Sequence, residues 1–559
     1  MNIIIGENLK ELNFIINNLN NLDKDFYVVP VDLDTLIFCD QKKINYFNPI
    51  DFIGNNFHKE ALISSNILLK NLNYGSIKLE SLKKEYKNYI RKKYNQFFFS
   101  HFILSEIIKK KKIKKIFVSG WENYSNDLKN YNNYYLTAVV KEFFASKVEI
   151  ISISNKKKEN IINRCCTFNL SLIDKSKKKK ILITSSGYNI YRVILISLFL
   201  RYSVYVISEN KINSSIKNFL NILGLNILTF KKEKYNNIVD FKIEKINFVY
   251  QNKDFSSLLN LAKKYFDLKL SEIYYKSECV EKFLDNTEID LIVSVMARGY
   301  QGCIVEYAKN SNIKTLGITH GTISKNFSDL DRIYKKAIAE GVFSKNYDFF
   351  PLQTKICYDS VKTHSLPQSN LKSGNLIFAE NFINFRRKNK ILYAVTSKNF
   401  NQMQFHGVES YFEFYKNLEI FNTSEISNLY EILVNLHPAV SEYSLVNLRK
   451  KFKNLSFTKK KISSCLKKAF VTISYSSTVI EDSICSKVPV ILFDNWRRYK
   501  HCESESKFFE NSEPIFYVNS LDKLKTCIEK IKRKKINFEK ILYGGNCFNN
   551  IYRLLKKII

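Results

Sequence analysis

Short apolar runs, each closed by a polar turn and followed by a stretch of helical period, recur along this chain, and that alternation leaves few folds open. The run at 469–473 ends in a hydroxyl-rich turn, Ser474-Tyr475-Ser476-Ser477-Thr478, which opens a helix leading to a second run at 488–493. Residues 290–322 repeat the plan: an apolar strand, a helix over about 301–310, then a strand from 314 that ends at His320-Gly321-Thr322. In 431–440 a shorter run ends at His437-Pro438. Runs this short and this continuously apolar suit parallel strands covered on both faces, and their alternation with helices predicts βαβ units. The turns then fall at the C-terminal edge of a parallel sheet, where open α/β folds bind ligands and free amides at a helix N-terminus attract anions. Ser476, Ser477 and Thr478 are therefore candidate phosphate ligands.

Composition narrows the class. At 559 residues, 45% of them hydrophobic, the chain is long enough for two to four domains and too apolar for global disorder. Its net charge of +35, from 88 Lys and Arg against 53 Asp and Glu, raises the question of nucleic acid. Lys, Asn and Ile are used heavily throughout, however, and the Lys runs at 109–112, 177–180 and 459–461 sit at element boundaries. The expectation is solvated surface charge, with attraction to an anionic membrane face or polyanionic acceptor as the alternative and no nucleic-acid partner. Eleven scattered cysteines without metal spacing suggest a reducing compartment. No signal peptide is visible at the start, and the most apolar window, 193–207, is interrupted by Arg201 and too short to span a bilayer. A cytoplasmic protein is expected, soluble or peripheral on the inner face of the membrane.

Three α/β blocks follow. The first, 1–170, has strand-like runs at 2–5, 26–31, 115–119 and 148–152 and few motifs. A Lys-rich segment at 174–180 precedes a fresh start at 181–208, which reads as strand, polar turn (184–188), helix and strand, and this second block extends over 180–345. The third, 374–545, opens at Gly374-Asn375, has strands at 390–396, 432–436, 470–473 and 488–493, and is closed by a helical tail over about 521–558.

The order His320-Gly321-Thr322, Ser373-Gly374-Asn375, His437-Pro438, then Ser476-Ser477-Thr478 followed by Glu481 resembles the bacterial GT-B glycosyltransferases of surface-polysaccharide synthesis. Sialyltransferase-like enzymes and CDP-glycerol glycerophosphotransferases are the relatives it is most similar to, over about 180–545. The resemblance implies a GT-B core of two Rossmann-like domains facing a cleft, here with an additional N-terminal α/β domain. It implies that His437, Ser476 and Ser477, with Thr478 beside them, contact donor phosphate and that Glu481 reaches the donor ribose or base. His320 would be the acceptor's general base or contact, and Gly321, Thr322, Gly374, Asn375 and Pro438 would form cleft turns. The implied activity is transfer of a sugar from a nucleotide-activated donor to a surface polysaccharide or lipid-linked glycan, with no metal and no cofactor beyond the donor. A CDP-polyol phosphotransferase, a nucleotide-sugar 2-epimerase and a non-catalytic scaffold of glycan assembly are the alternatives. The chain departs from the patterns in carrying Ser474 where the glycerophosphotransferases usually have an aspartate, and in lacking an acidic-acidic-glycine base motif.

Each motif also has a purely structural reading. Thr478 and Glu481 satisfy a capping-box spacing, His320 could be a turn histidine, and His437-Pro438 could end a strand. Asp32-Leu33-Asp34 and Asp329-Leu330-Asp331 resemble the metal-binding carboxylates of another glycosyltransferase class but lack its strand context, so both are expected to be solvated loop carboxylates. Arg298-Gly299-Tyr300 reads as a structural turn. Trp496-Arg497-Arg498 lies at a strand edge and suits either a phosphate or the surface, while His364, His406 and His501 read as surface residues.

Overall fold

A computed structural model describes residues 1–19, 26–53, 55–119, 135–153, 164–167, 178–185, 187, 189–208, 220, 222–234, 239–319, 326–363, 370–380, 390–399, 410–497, 500–505 and 513–559. Three parallel sheets organise them, in agreement with the α/β expectation. Strands β1 (Asn2–Ile5), β2 (Phe26–Val28), β3 (Lys115–Ser119) and β4 (Glu149–Ile153) form the first, in the order β2-β1-β3-β4. Strands β5 (Lys180–Ile183), β6 (Ser203–Ser208), β7 (Leu225–Thr229), β8 (Leu291–Ser294) and β9 (Lys314–Gly317) form the second, ordered β9-β8-β5-β6-β7. The third contains β10 (Lys390–Tyr393), β11 (Glu431–Asn435), β12 (Leu455–Thr458), β13 (Ala469–Ser474), β14 (Val490–Phe493) and β15 (Ile515–Val518), ordered β12-β11-β10-β13-β14-β15. In the latter two sheets the chain winds outward one way from the central strand and then the other, as in Rossmann folds. Their switch points fall between β5 and β8 and between β10 and β13, the place where open α/β folds generally have their ligand crevice. The wholly buried strands β5, β6, β8 and β14 show why the runs read as continuously apolar.

The first domain does not hang from the other two; it is wedged against both. Its helices are α1 (Leu9–Asn18), α2 (Leu33–Lys42) and α3 (Glu80–Lys110). The second domain supplies α4 (Tyr191–Phe199), α5 (Ser256–Asp285) and α6 (Gly299–Asn310), and the third α7 (Glu442–Lys451), α8 (Val479–Cys485), α9 (Leu521–Arg533) and α10 (Cys547–Ile558). Helix α3 lies along α5, where the Tyr89 and Phe266 rings stack with centroids 4.2 Å apart. The Glu306 carboxylate on α6 accepts from the Glu80 and Ser81 amides, both at 3.0 Å, and so caps the N-terminus of α3 from the neighbouring domain. On the other side α2 packs on α7, Lys451 Nζ reaches Asp40 at 2.8 Å, and the buried Tyr411 hydroxyl donates to the Pro30 carbonyl at 2.6 Å.

The helical tail departs from expectation. It breaks into α9 and α10 across residues 534–546, and of the two α9 covers the third sheet. Helix α10 returns to the second domain, burying Ile551, Leu554, Leu555 and Ile558 in one core with Val193 and Leu316.

The crossing at 374–379 carries the chain from the second domain into the third through the dry interior, with its peptide groups bonded to both sides. Asn189 Nδ2 donates to the Ile377 carbonyl (2.7 Å) and Arg192 Nη1 to that of Phe378 (2.9 Å). Gln353 Oε1 accepts from the amides of Leu376 and Ile377, while Asp482 Oδ1 accepts from Ala379 (2.6 Å). Gly374 begins this crossing in the left-handed region (φ 73°), and a Cβ there would stand 2.6 Å from Asn550 Nδ2 and 2.7 Å from two backbone carbonyl oxygens. Gly374→Ala combines backbone strain with a clash that backbone cannot relieve, so we expect a loss of about 2 kcal/mol or more, measured by denaturant unfolding. A variant as stable as the parent would show that the crossing yields easily.

Candidate functional site

At the third sheet's switch point the strand tips are tied to one another. Ser474, the last residue of β13, donates its hydroxyl to the Ala394 carbonyl just beyond β10 at 2.8 Å. Asp494, following β14, accepts from the Tyr475 hydroxyl (3.1 Å) and the Tyr517 hydroxyl (2.9 Å), linking the ends of β13, β14 and β15. On this braced edge Ser476, Ser477 and Thr478 are half-buried. Ser477 Oγ accepts from the Val479 amide at 3.3 Å. Thr478 has helical backbone and makes no side-chain cap, so the capping box allowed by its spacing to Glu481 is not formed.

Glu481 points inward instead. It has no exposed surface, and neither carboxyl oxygen has a hydrogen-bonding partner in another residue. Burial pushes its carboxyl well above the ordinary range, and the neighbouring Asp482 charge adds to this. A buried carboxyl without compensation is costly, and such groups concentrate where a ligand supplies the missing partner.

The second domain's switch point is similarly braced. Thr184 Oγ1 lies 3.2 Å from Ser294 Oγ and donates to Gln301 Oε1 at 3.0 Å; the Tyr300 hydroxyl donates to the Thr184 carbonyl. Arg298 sits at the N-cap of α6, and Gly299 takes φ 60°, as a structural turn requires. Of the expected site residues here, His320, Gly321 and Thr322 lie outside the described residues. Gly374 and Asn375 belong to the crossing: Asn375 accepts from the Phe378 amide and donates to the Phe378 carbonyl, closing a tight local turn.

His437 stands exposed beyond β11, next to the exposed Pro438, and its Nδ1 accepts from the Ala439 amide at 3.2 Å, a bond that does not engage Nε2. It is separated from the serine turn by the width of β10, roughly 10 Å between β11 and β13. Its immediate surroundings are ones that no local pattern announced. His437 lines a recess of about 210 Å³ together with Asp32 and Asp34 of the first domain. These aspartates are therefore not the solvated loop carboxylates expected from sequence. Asp32 caps α2, its Oδ1 accepting from the Thr35 amide (2.8 Å) and hydroxyl, and burial pushes its carboxyl up to about 6. Asp34 Oδ1 accepts from the hydroxyls of Ser441 (2.5 Å) and Ser444 at the start of α7. The signal that could have found them is the Asp-Leu-Asp spacing itself, read as a ligand pair. Its partners lie some four hundred residues away along the chain.

Other expectations divide. Asp329 is exposed and paired with Arg332 at 3.3 Å, as a solvated carboxylate should be. His501 is buried rather than on the surface, and burial pushes its imidazole down to about 3. His364, His406 and Arg498 lie outside the described residues. Among the described residues no group of three or more His, Cys, Asp or Glu is placed to hold a metal, and no helix is long and apolar enough to cross a membrane.

The sequence matches no family model and no curated protein. Solved structures similar to it include a UDP-GlcNAc 2-epimerase from Methanocaldococcus jannaschii, 14% identical over 68% of this chain and 99% of that one, with a TM-score of 0.40. Another is the epimerase from Neisseria meningitidis (12%, 68% and 99%, 0.39), and a third the wall teichoic acid polymerase TagF (14%, 68% and 88%, 0.35).

The Glu481 carboxyl has a pH signature. Its folded-state value is raised, so the folded protein holds this proton more tightly than the unfolded chain, and stability falls as pH rises from the ordinary carboxylate range. Glu481→Gln removes that penalty. The variant's melting temperature should equal the parent's near pH 4 and exceed it increasingly towards pH 8; a difference independent of pH would mean that the carboxyl is compensated.

Proposed function

We propose that this protein is a glycosyltransferase of GT-B type that moves a sugar from a nucleotide-activated donor to a surface polysaccharide or lipid-linked glycan. The observation that carries the reading is the third sheet's switch point: a hydroxyl-rich turn at the tip of β13, followed within one helical turn by a fully buried carboxyl without a partner. Ser476 and Ser477 offer hydroxyls to a phosphate, and Glu481 offers an acceptor to a ribose hydroxyl. In the transfer, an acceptor hydroxyl attacks the anomeric carbon, the bond from that carbon to the phosphate oxygen breaks, and the electron pair leaves on the phosphate. The hydroxyl proton passes to a base, a role for which His320 is the candidate. His437 Nε2 is available to donate to the departing phosphate, and hydrogen bonds to developing charge lower the barrier most when they are already in place. No metal is required by this scheme. The charge of +35 suits a protein working in the cytoplasm against an anionic membrane face, where its acceptor would be anchored.

Calorimetry with CMP, CDP, UDP and GDP tests the donor site. One nucleotide should bind saturably to the wild type and at least tenfold more weakly, about 1.4 kcal/mol, to Ser476→Ala/Ser477→Ala and to His437→Ala. Product analysis with the matching activated donor then separates the classes: a glycosidic product supports sugar transfer, a phosphodiester product the polyol-phosphate reaction, and conversion without acceptor an epimerase. Well-folded protein that binds none of the four would overturn the reading.

A further inference from the structure

The recess around His437 has an owner on each side, and its chemistry differs from that of a phosphate cradle. One wall is the edge of the third sheet, where Thr396 and Asn399 follow β10 and His437 follows β11; the other is the turn entering α2, with Asp32 and Asp34. At about 210 Å³ it falls below the roughly 300–1,000 Å³ of sites that enclose drug-sized ligands, so it takes a single small unit and not a nucleotide. Its polar lining mixes acceptors and donors: two carboxylates, four hydroxyls, a carboxamide, the Lys398 ammonium and an imidazole. Neighbouring sugar hydroxyls, each able to donate and accept, match such a mixture, whereas a phosphate would meet the two aspartates.

The geometry is also fixed in advance. Asp34 is pinned by Ser441 and Ser444, the Pro30 carbonyl by Tyr411, and α2 by α7, so the first domain's turn cannot drift from the strand tips. Asp32 uses Oδ1 for its helix cap, and Oδ2 takes part in neither of those bonds. The position is one strand away from the switch point assigned to donor phosphate, which places an occupant next to the reacting centre.

We infer that this recess is a monosaccharide-sized subsite for the terminal sugar of the acceptor, completed by Asp32 and Asp34, and that the first domain's role is to build it. The word acceptor rests on the proposed transferase function; recognition of a sugar by these residues does not.

Ligand-observed saturation-transfer NMR on the full chain provides the test, with methyl glycosides of hexoses, N-acetylhexosamines and N-acetylneuraminic acid as probes. Asp32→Asn keeps an equally good helix cap while removing the charge, and Asn399→Ala probes the opposite wall. At least one glycoside should bind the wild type, and its Kd should rise tenfold or more in both variants while nucleotide affinity stays within twofold. Binding retained in the presence of saturating nucleotide-activated sugar identifies an acceptor sugar; loss of binding on adding it would assign the recess to the donor's sugar and overturn the acceptor role. Either no glycoside binding to folded wild type or equal binding in all three proteins would overturn the subsite. Glycoside binding without nucleotide binding would leave the subsite standing and sink the transferase reading.

Discussion

One passage of main chain sets the geometry of the whole molecule: the crossing at 374–379. A backbone that runs through a dry interior must find a partner for each amide and carbonyl, or lose the free energy of an unmade hydrogen bond. Here the partners come from the second domain (Asn189, Arg192), from the connecting segment (Gln353) and, in the third, from α8 (Asp482) and the residue that ends it (Ser486). Helix α10 then locks the turn from behind, with Asn550 donating to the Asn375 carbonyl at 3.0 Å. Because the same residues satisfy the crossing and join the domains, the two Rossmann-like units share one set of constraints.

The first domain adds a second constraint, applied from the side. Through α3 it borrows a helix cap from Glu306 of the second domain, and through α2 it grips α7 of the third. Continuous apolar packing supports this: one core extends from Ile3 and Ile5 of β1 through Phe266 of α5 to Ile391 and Val471 in the third sheet. Two polar contacts across that boundary, Asp34 with the serines of α7 and Tyr411 with the Pro30 carbonyl, direct the packing where apolar contact alone would tolerate slippage. The electrostatics divide accordingly. Ion pairs such as Lys115–Glu149 and Lys525–Glu425 are exposed and contribute little to stability, while Glu481, Asp32 and His501 owe their displaced titration to removal from water.

The alternation of apolar runs and helical periods determined the class of fold and most of its strands. The runs at 2–5 and 115–119 coincide with β1 and β3, and those at 390–396 and 488–493 contain β10 and β14. Strands β7, β12 and β15 escaped because they are short edge strands, and β7 and β12 also mix polar with apolar residues. The serine turn and His437 were also legible, since a ligand edge is implied wherever a parallel strand ends. The environment of each was not. Nothing local says that Glu481 turns inward, that Thr478 forgoes its cap, or that Asp32 and Asp34 meet a histidine from the far end of the chain. Periodicity reports which face of an element is buried; only the packing of distant elements decides what it is buried against. Sequence by itself therefore determined the layers and the turns at their C-terminal edges, and tertiary structure decided which side chains come together there, because those contacts depend on how three separately wound sheets come together.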